Sequence, residues 1–284
     1  MSFSSEVKEE LSKIGNLANK SSVKAELYGY YCSANVSEER GLMRFSTESE
    51  YNINRFSKLL NNVNISKYDI EMQGKKFSIS ISRGESKLLK ESFDGFEVGS
   101  KEGEEKAYVR GTFLGGGSIN NPKNKYHIEV KLKNMDTAEK LIEILDKSSI
   151  NFKILQIKDK YSIYSKDGEE ISKFLAFIEA STSVLKFEEI RVYRDMRNNV
   201  NRLVNCETAN LTKTVDAAVK QIEAINKLKK SGKFNELPEN LKEIANLRIA
   251  NPEASLVELG QMLKKPIGKS GVNYRLNTII KMSL

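Results

Sequence analysis

Near the end of the chain, Lys269, Ser270, Asn273, Tyr274 and Asn277 recur at helical spacing, and their side chains can read the edges of base pairs. Lysine suits the acceptors of guanine, and asparagine can pair its donor and acceptor with adenine. Arg275, Lys281, Lys264 and Lys265 lie around them, and Arg202 lies further upstream. These are better suited to phosphates, which fix register without conveying sequence.

A second stretch, YVRGTFLGGGSI (Tyr108 to Ile119), nearly spells a phosphate-binding loop through Gly111, Gly116, Gly117 and Ser118. The lysine that such a loop needs is replaced by Gly117. The next residues, NNPKNKYHIEV, read as a turn and a strand rather than the required helix. The glycines therefore need another explanation.

Other chemistry is poorly supplied. The chain has one histidine, His127, within the strand-like YHIEVKL, where it reads as structural. Triads and histidine metal cages have almost nothing to work with. Cys32 and Cys206 fall in different expected domains, poor material for a disulfide and suited to a reducing compartment. No apolar run approaches the roughly 18 residues of a membrane span, and the N-terminal MSFSSEVKEELSKI is unlike a signal peptide. The sequence implies no cofactor, no metal and no membrane partner.

The formal charge of +8 over 284 residues is unevenly placed. Residues 1–190 carry 29 Lys and Arg against 29 Asp and Glu, and residues 191–284 carry 17 against 9. A neutral body with a basic C-terminal module has the electrostatic footprint of a nucleic-acid binder, here expected to be double-stranded DNA from the motif described below.

The elements that must position these residues begin with an internal repeat. KAELYGYYCSAN (Lys24 to Asn35) superimposes on KAYVRGTFLGGG (Lys106 to Gly117), and KKFSIS (Lys75 to Ser80) on DKYSIY (Asp159 to Tyr164). The first copy reads as helix 22–35, strand 41–47, helix 49–61 and strands 67–73 and 76–82. The second reads as a strand Tyr126 to Leu132, a helix around Ala138 to Leu145, a hairpin Asn151 to Tyr164 and a helix 168–180. Gly29, Ser33 and Ala34 in one opening helix, and Gly111 and Gly115 in the other, let two backbones approach closely.

Downstream, RVYRDMRNNVNRLVNCETAN (Arg191 to Asn210) reads as a connector, with Thr208 to Asn210 as caps for the helix after it. That helix keeps Val215, Ala218, Val219, Ile222 and Ile225 on one face up to Ser231 and Gly232. Pro238 opens another helix and Pro252 ends it. In the last thirty residues, Leu256, Leu259 and Leu263 face Val272, Leu276, Ile279 and Ile280 around a break at Lys264 to Gly268. This spacing matches a helix-turn-helix, with a turn longer than the usual one.

The repeat resembles the LAGLIDADG homing-endonuclease fold, whose paired helices end in acids that bind catalytic metal. The resemblance places Ala34 and Gly116 at those acid positions, where neither has a side-chain oxygen. It therefore implies a degenerate scaffold, with no catalytic residue and no enzyme activity. RNNVNRLVNCETANLTKTVDAAVKQIEAI (Arg197 to Ile225), then LPENLKEIANLRIANPEASLVELGQML and KSGVNYRLN, extend the likeness. With that signature the chain resembles the WhiA family of bacterial DNA-binding regulators along essentially its whole length.

The resemblance implies an α+β fold, in which duplicated LAGLIDADG-like αββα-type units form a pseudo-two-fold body joined to an all-α helix-turn-helix domain. The expected domains are repeat 1 at 1–95, repeat 2 at 96–190, a linker at 191–210 and the helix-turn-helix domain at 211–284. It implies sequence-specific DNA binding in transcriptional control of cell division and chromosome segregation, and of sporulation in some lineages, in the cytoplasm at the nucleoid. An alternative is an adaptor that engages RNA polymerase, a sigma factor or division proteins. The body is expected to bind protein, or DNA more weakly through Lys123, Lys125, Lys131 and Lys133. Oligomeric state is open, with a monomer favoured.

Overall fold

The computed structural model describes residues 2–284 apart from Asn16 and Arg40. The chain forms two units, Met1–Asp195 and Met196–Leu284.

The first unit opens with α1 (Phe3–Ser12), then carries two copies of one order of elements. The first copy is α2 (Lys20–Cys32), β1 (Val36–Glu39), β2 (Leu42–Thr47), α3 (Glu50–Asn62), β3 (Tyr68–Gln73), β4 (Lys76–Ile81) and α4 (Arg83–Phe93). The second is α5 (Glu104–Gly116), β5 (Gly117–Ile119), β6 (Ile128–Leu132), α6 (Met135–Lys147), β7 (Lys153–Ile157), β8 (Lys160–Ser165) and α7 (Gly168–Phe177). The sheets are antiparallel and share one topology, β1-β2-β4-β3 and β5-β6-β8-β7.

The repeat extends to register. Ile79 pairs with Phe45 and Ile70, and its counterpart Ile163 pairs with Val130 and Ile154. Both isoleucines are fully buried. Alternation then turns Met43, Phe45 and Ile81 toward the core while Arg44 and Glu71 stay at the surface. Sequence reasoning missed α1, β1, α4 and β5; the two strands are four and three residues long, and α4 has only Leu88, Leu89 and Phe93 as apolar residues to set a period.

The glycines explain how α2 meets α5. A Cβ on Gly29 would strike the Tyr108 carbonyl oxygen and the Thr112 amide, and one on Gly111 would strike the Glu26 carbonyl. Gly115 is held as tightly against Ser33 and Tyr30. The helices meet backbone to backbone, which only residues without a side chain permit at these crossings.

Residues 191–210 are not a connector. They lie inside α8, Ser181–Lys230, a single helix of 50 residues. No glycine or proline interrupts that span, and the Thr212 and Thr214 hydroxyls donate to the carbonyls of Thr208 and Asn210 one turn back. Thr208 to Asn210 therefore sit within the helix rather than capping it. Val215 and Val219, expected to face a core, are about half exposed, whereas Ala218 and Ile225 are buried.

Candidate nucleic-acid interface

The second unit is built on the end of α8, a short 3-10 helix (Lys233–Glu236), α9 (Glu239–Ala250), α10 (Leu256–Gln261) and α11 (Lys269–Ser283). Its core joins Ile225 and Leu228 of α8 to Ile244, Leu259, Val272 and Leu276. Leu237, Leu241, Ala245, Leu263 and Ile279 complete it, and Leu256 and Ile280 are only partly buried.

Each helix end has a local cause. Pro238 precedes α9, and Asn251 caps its far end just before Pro252. Ser255 and Glu258 form a reciprocal capping box at the start of α10. The turn into α11 closes on Gly260, whose carbonyl accepts the Ile267 amide at 3.2 Å. A Cβ on Gly260 would strike the Ile267 carbonyl oxygen, so this glycine in α10 supports the long turn. Gly268 caps α11 in extended backbone, φ −72°, with Lys269 the first helical residue.

Val272, Leu276, Ile279 and Ser283 of α11 are buried. On the opposite side, Lys269, Ser270, Asn273, Tyr274 and Asn277 are all exposed, within an arc of roughly 140° at 100° per residue. Tyr274 is 75% exposed. Lys281 lies on the same side, and Lys264 and Lys265 project from the turn.

Two predicted residues stand apart from this group. Arg275 is half-buried and reaches back toward the Asn240 carbonyl at 3.5 Å, and at 100° per residue it lies about 100° beyond Tyr274, outside that arc. Arg202 is exposed on the middle of α8. From Leu259 to Leu284 the chain has five basic residues and no acidic one, so nothing on this segment offsets its positive field.

Sequence reasoning missed Arg248. It is buried, and its Nη1 donates to the Ala254 carbonyl at 2.7 Å and the Pro252 carbonyl at 3.3 Å, tying down the loop that delivers α10. Burial lowers its pKa from the ordinary arginine value. Glu243 likewise accepts the Lys264 amide at 2.7 Å and holds the start of the turn.

In the first unit, the two positions expected to have lost a metal ligand lie at the ends of the paired helices. Ala34 donates its amide to the Lys131 carbonyl at 3.0 Å, and a Cβ on Gly116 would strike that same oxygen. The four lysines suggested as a basic sheet face are separated. Lys131 is exposed on β6 and Lys123 and Lys125 precede that strand. Lys133 instead sits over the Tyr31 ring at 3.9 Å, beside Glu38 at 4.0 Å, and burial lowers its pKa.

Comparisons with known proteins agree with this division. A family model described as the WhiA LAGLIDADG-like domain matches residues 105–197, and one described as the WhiA C-terminal HTH domain matches residues 200–283. The "Probable cell division protein WhiA" of Clostridium tetani is 52% identical over 178 residues, which are 63% of this chain and 56% of that protein. Its namesake in Clostridium acetobutylicum is 46% identical over 207 residues, 72% of this chain and 65% of that one. The matched stretch thus spans less than two thirds of the length of either relative. The crystal structure of full-length WhiA from Thermotoga maritima is 29% identical and superposes with a TM-score of 0.63, covering 100% of this chain and 98% of that one. The N-terminal LAGLIDADG domain of a WhiA protein superposes at 0.54 with 26% identity, covering 62% of this chain and 90% of that one. With models matching residues 105–197 and 200–283 and a solved relative aligned over the whole chain, the chain belongs to the WhiA family.

Proposed function

We propose that this chain is a sequence-specific DNA-binding regulator whose α11 enters the major groove. The observation that carries the reading is the division of α11 into a buried apolar side and an exposed side of Lys269, Ser270, Asn273, Tyr274 and Asn277. Lys264, Lys265, Lys281 and Arg202 would neutralise phosphates, with Arg275 at the margin. The clostridial relatives are called probable cell division proteins. We extend that to this chain as transcriptional control of division and chromosome segregation, exercised in the cytoplasm at the nucleoid.

The first unit is read as a scaffold without nuclease activity, because Ala34 and Gly116 offer no side-chain carboxylate to a divalent ion. Its balanced charge gives little counterion release on a duplex, which favours a protein partner for it. A second reading, an adaptor engaging RNA polymerase, a sigma factor or a division protein, draws support from exposed Met196, Val200 and Leu203 on α8.

Selection of bound duplexes from a random pool, repeated with Asn273→Ala, tests the main reading. One base position should lose its preference in the variant, and an unchanged preference profile would contradict base reading by α11.

A further inference from the structure

The first unit holds an open cavity of about 800 Å³ that the DNA reading does not use. Two helices begin on it. Ser2, Ser4 and Ser5 bring the first turn of α1 to its wall, and Ser49, Glu50 and Tyr51 bring the first turn of α3. The cap serines each take one amide, Ser2 from Ser5 at 3.1 Å and Ser49 from Asn52 at 3.3 Å. The other first-turn amides have no acceptor within their own helices, so the positive ends of two helix dipoles share this space.

A lysine lines the same space. It is Lys8 of α1, with its ammonium 5.9 Å from the centre of the Phe113 ring. Among the described residues no carboxylate pairs with it, and burial pushes its pKa down to about 8. Lys8 thus keeps a partly buried ammonium with no paired carboxylate among the described residues.

The acids nearby do not fill that role. Glu9 is bonded to Lys13 at 2.6 Å, and Glu48 and Glu50 are exposed at the rim with Lys76. Rim carboxylates and a neutral body oppose a long polyanion while leaving the floor open to a compact one. Asn35 and Gly117, which directly follow Ala34 and Gly116, also line the cavity. An ammonium therefore occupies the neighbourhood in which the resemblance expects carboxylates, and the charge such a site would hold is inverted.

We propose that this cavity is a phosphate site, in which the Lys8 ammonium and the first-turn amides of α1 and α3 hold a terminal phosphate group of a small ligand. Glu48 and Glu50 then act as a rim that restricts the ligand to one small enough to clear them.

Titration of the full chain with pyrophosphate at constant ionic strength, followed by calorimetry, is expected to show saturable binding. Lys8→Met should weaken it by about 10-fold or more, and Lys8→Arg should retain it. Far-UV circular dichroism and a cooperative urea-unfolding transition of the first unit establish that Lys8→Met is folded. Competition by a short non-selected duplex would contradict the small-ligand assignment, and absence of competition would support it. No saturable binding by the native chain, or equal binding by Lys8→Met, would overturn the proposal. The outcome is separable from that of the α11 reading, because Asn273→Ala should leave the pyrophosphate titration unchanged.

Discussion

Glu26 of α2 holds Arg110 of α5 across the repeat interface, its Oε2 lying 3.1 Å from the guanidinium. The same carboxylate takes Arg55 of α3 in a bidentate pair, both bonds 2.8 Å, and all three side chains are at most 3% exposed. Burial opposes the charge on Arg55, but bonding to Glu26 outweighs it and raises the arginine's pKa. Arg55 also donates to the Ile14 carbonyl, and Arg110 to Glu179, so little of either cation is left unbonded.

Removing the shared carboxylate would leave two buried cations facing each other. Glu26→Ala is expected to destabilise the first unit by about 3–5 kcal/mol, measured by urea unfolding. Glu26→Leu should do no better, since Arg55 loses its carboxylate and Arg110 keeps only the half-exposed Glu179. A loss below about 1 kcal/mol would mean that the arginines escape to solvent.

The glycines at the helix crossing should respond differently from those outside it. Gly111→Ala is expected to cost about 1–3 kcal/mol, because the new methyl meets the Glu26 carbonyl of a packed helix. Gly84 in α4 has nothing within 4 Å of its Cβ position, so Gly84→Ala should stabilise by up to about 1 kcal/mol. Equal effects at the two sites would contradict backbone-to-backbone packing of α2 on α5.

These relationships mark what the sequence discloses. The repeat is legible because backbone requirements recur at matching positions, with Gly29 and Gly111 at the crossing and Ile79 and Ile163 at the centre of their sheets. The Glu26 knot is not, since the repeat places Tyr108 opposite Glu26 and Tyr28 opposite Arg110, and only folding joins residues 84 apart. The polar face of α11 is readable from its 3.6-residue period. Arg248 is not, because its partners are loop carbonyls that leave no mark in side-chain chemistry. Residues 191–210 read as a connector because charged and amide side chains outnumber the apolar ones. Val192, Met196, Val200 and Leu203 nonetheless keep helical spacing there, and no glycine or proline breaks it.

Arg248 should matter to the second unit as a brace. Arg248→Met keeps the stem and removes the bonds to Pro252 and Ala254, at an expected cost of about 1–3 kcal/mol in thermal unfolding. Duplex affinity should fall with it, because the loop from Asn251 to Ser255 delivers α10 and through it the turn. Unchanged stability would remove Arg248 from the supporting structure.

Lys8 gives a pH signature. Its pKa falls from 10.5 in the unfolded chain to about 8 when folded, so between these values the unfolded state binds more protons. Its contribution should therefore make the native chain more stable as pH rises from about 8 to 10.5, and Lys8→Met should lose that part of the slope. Glu9, Glu48, Glu50, Tyr51 and Lys76 share the cavity and remain in both proteins, so the difference between the two slopes reports Lys8. Parallel slopes would place its ammonium in bulk water.

The most direct measurement is the affinity of the full chain for its selected duplex as salt is raised from about 50 to 200 mM, comparing native protein with Lys269→Ala and with Lys264→Ala/Lys265→Ala. If α11 reads bases and the turn touches phosphates, Lys269→Ala should cost about 1–3 kcal/mol on the selected duplex and less on an unrelated one. The double variant should weaken both duplexes alike and make the salt slope shallower by about 2. Native affinity and an unaltered slope in both variants would contradict the account, and would move duplex binding away from the C-terminal helices.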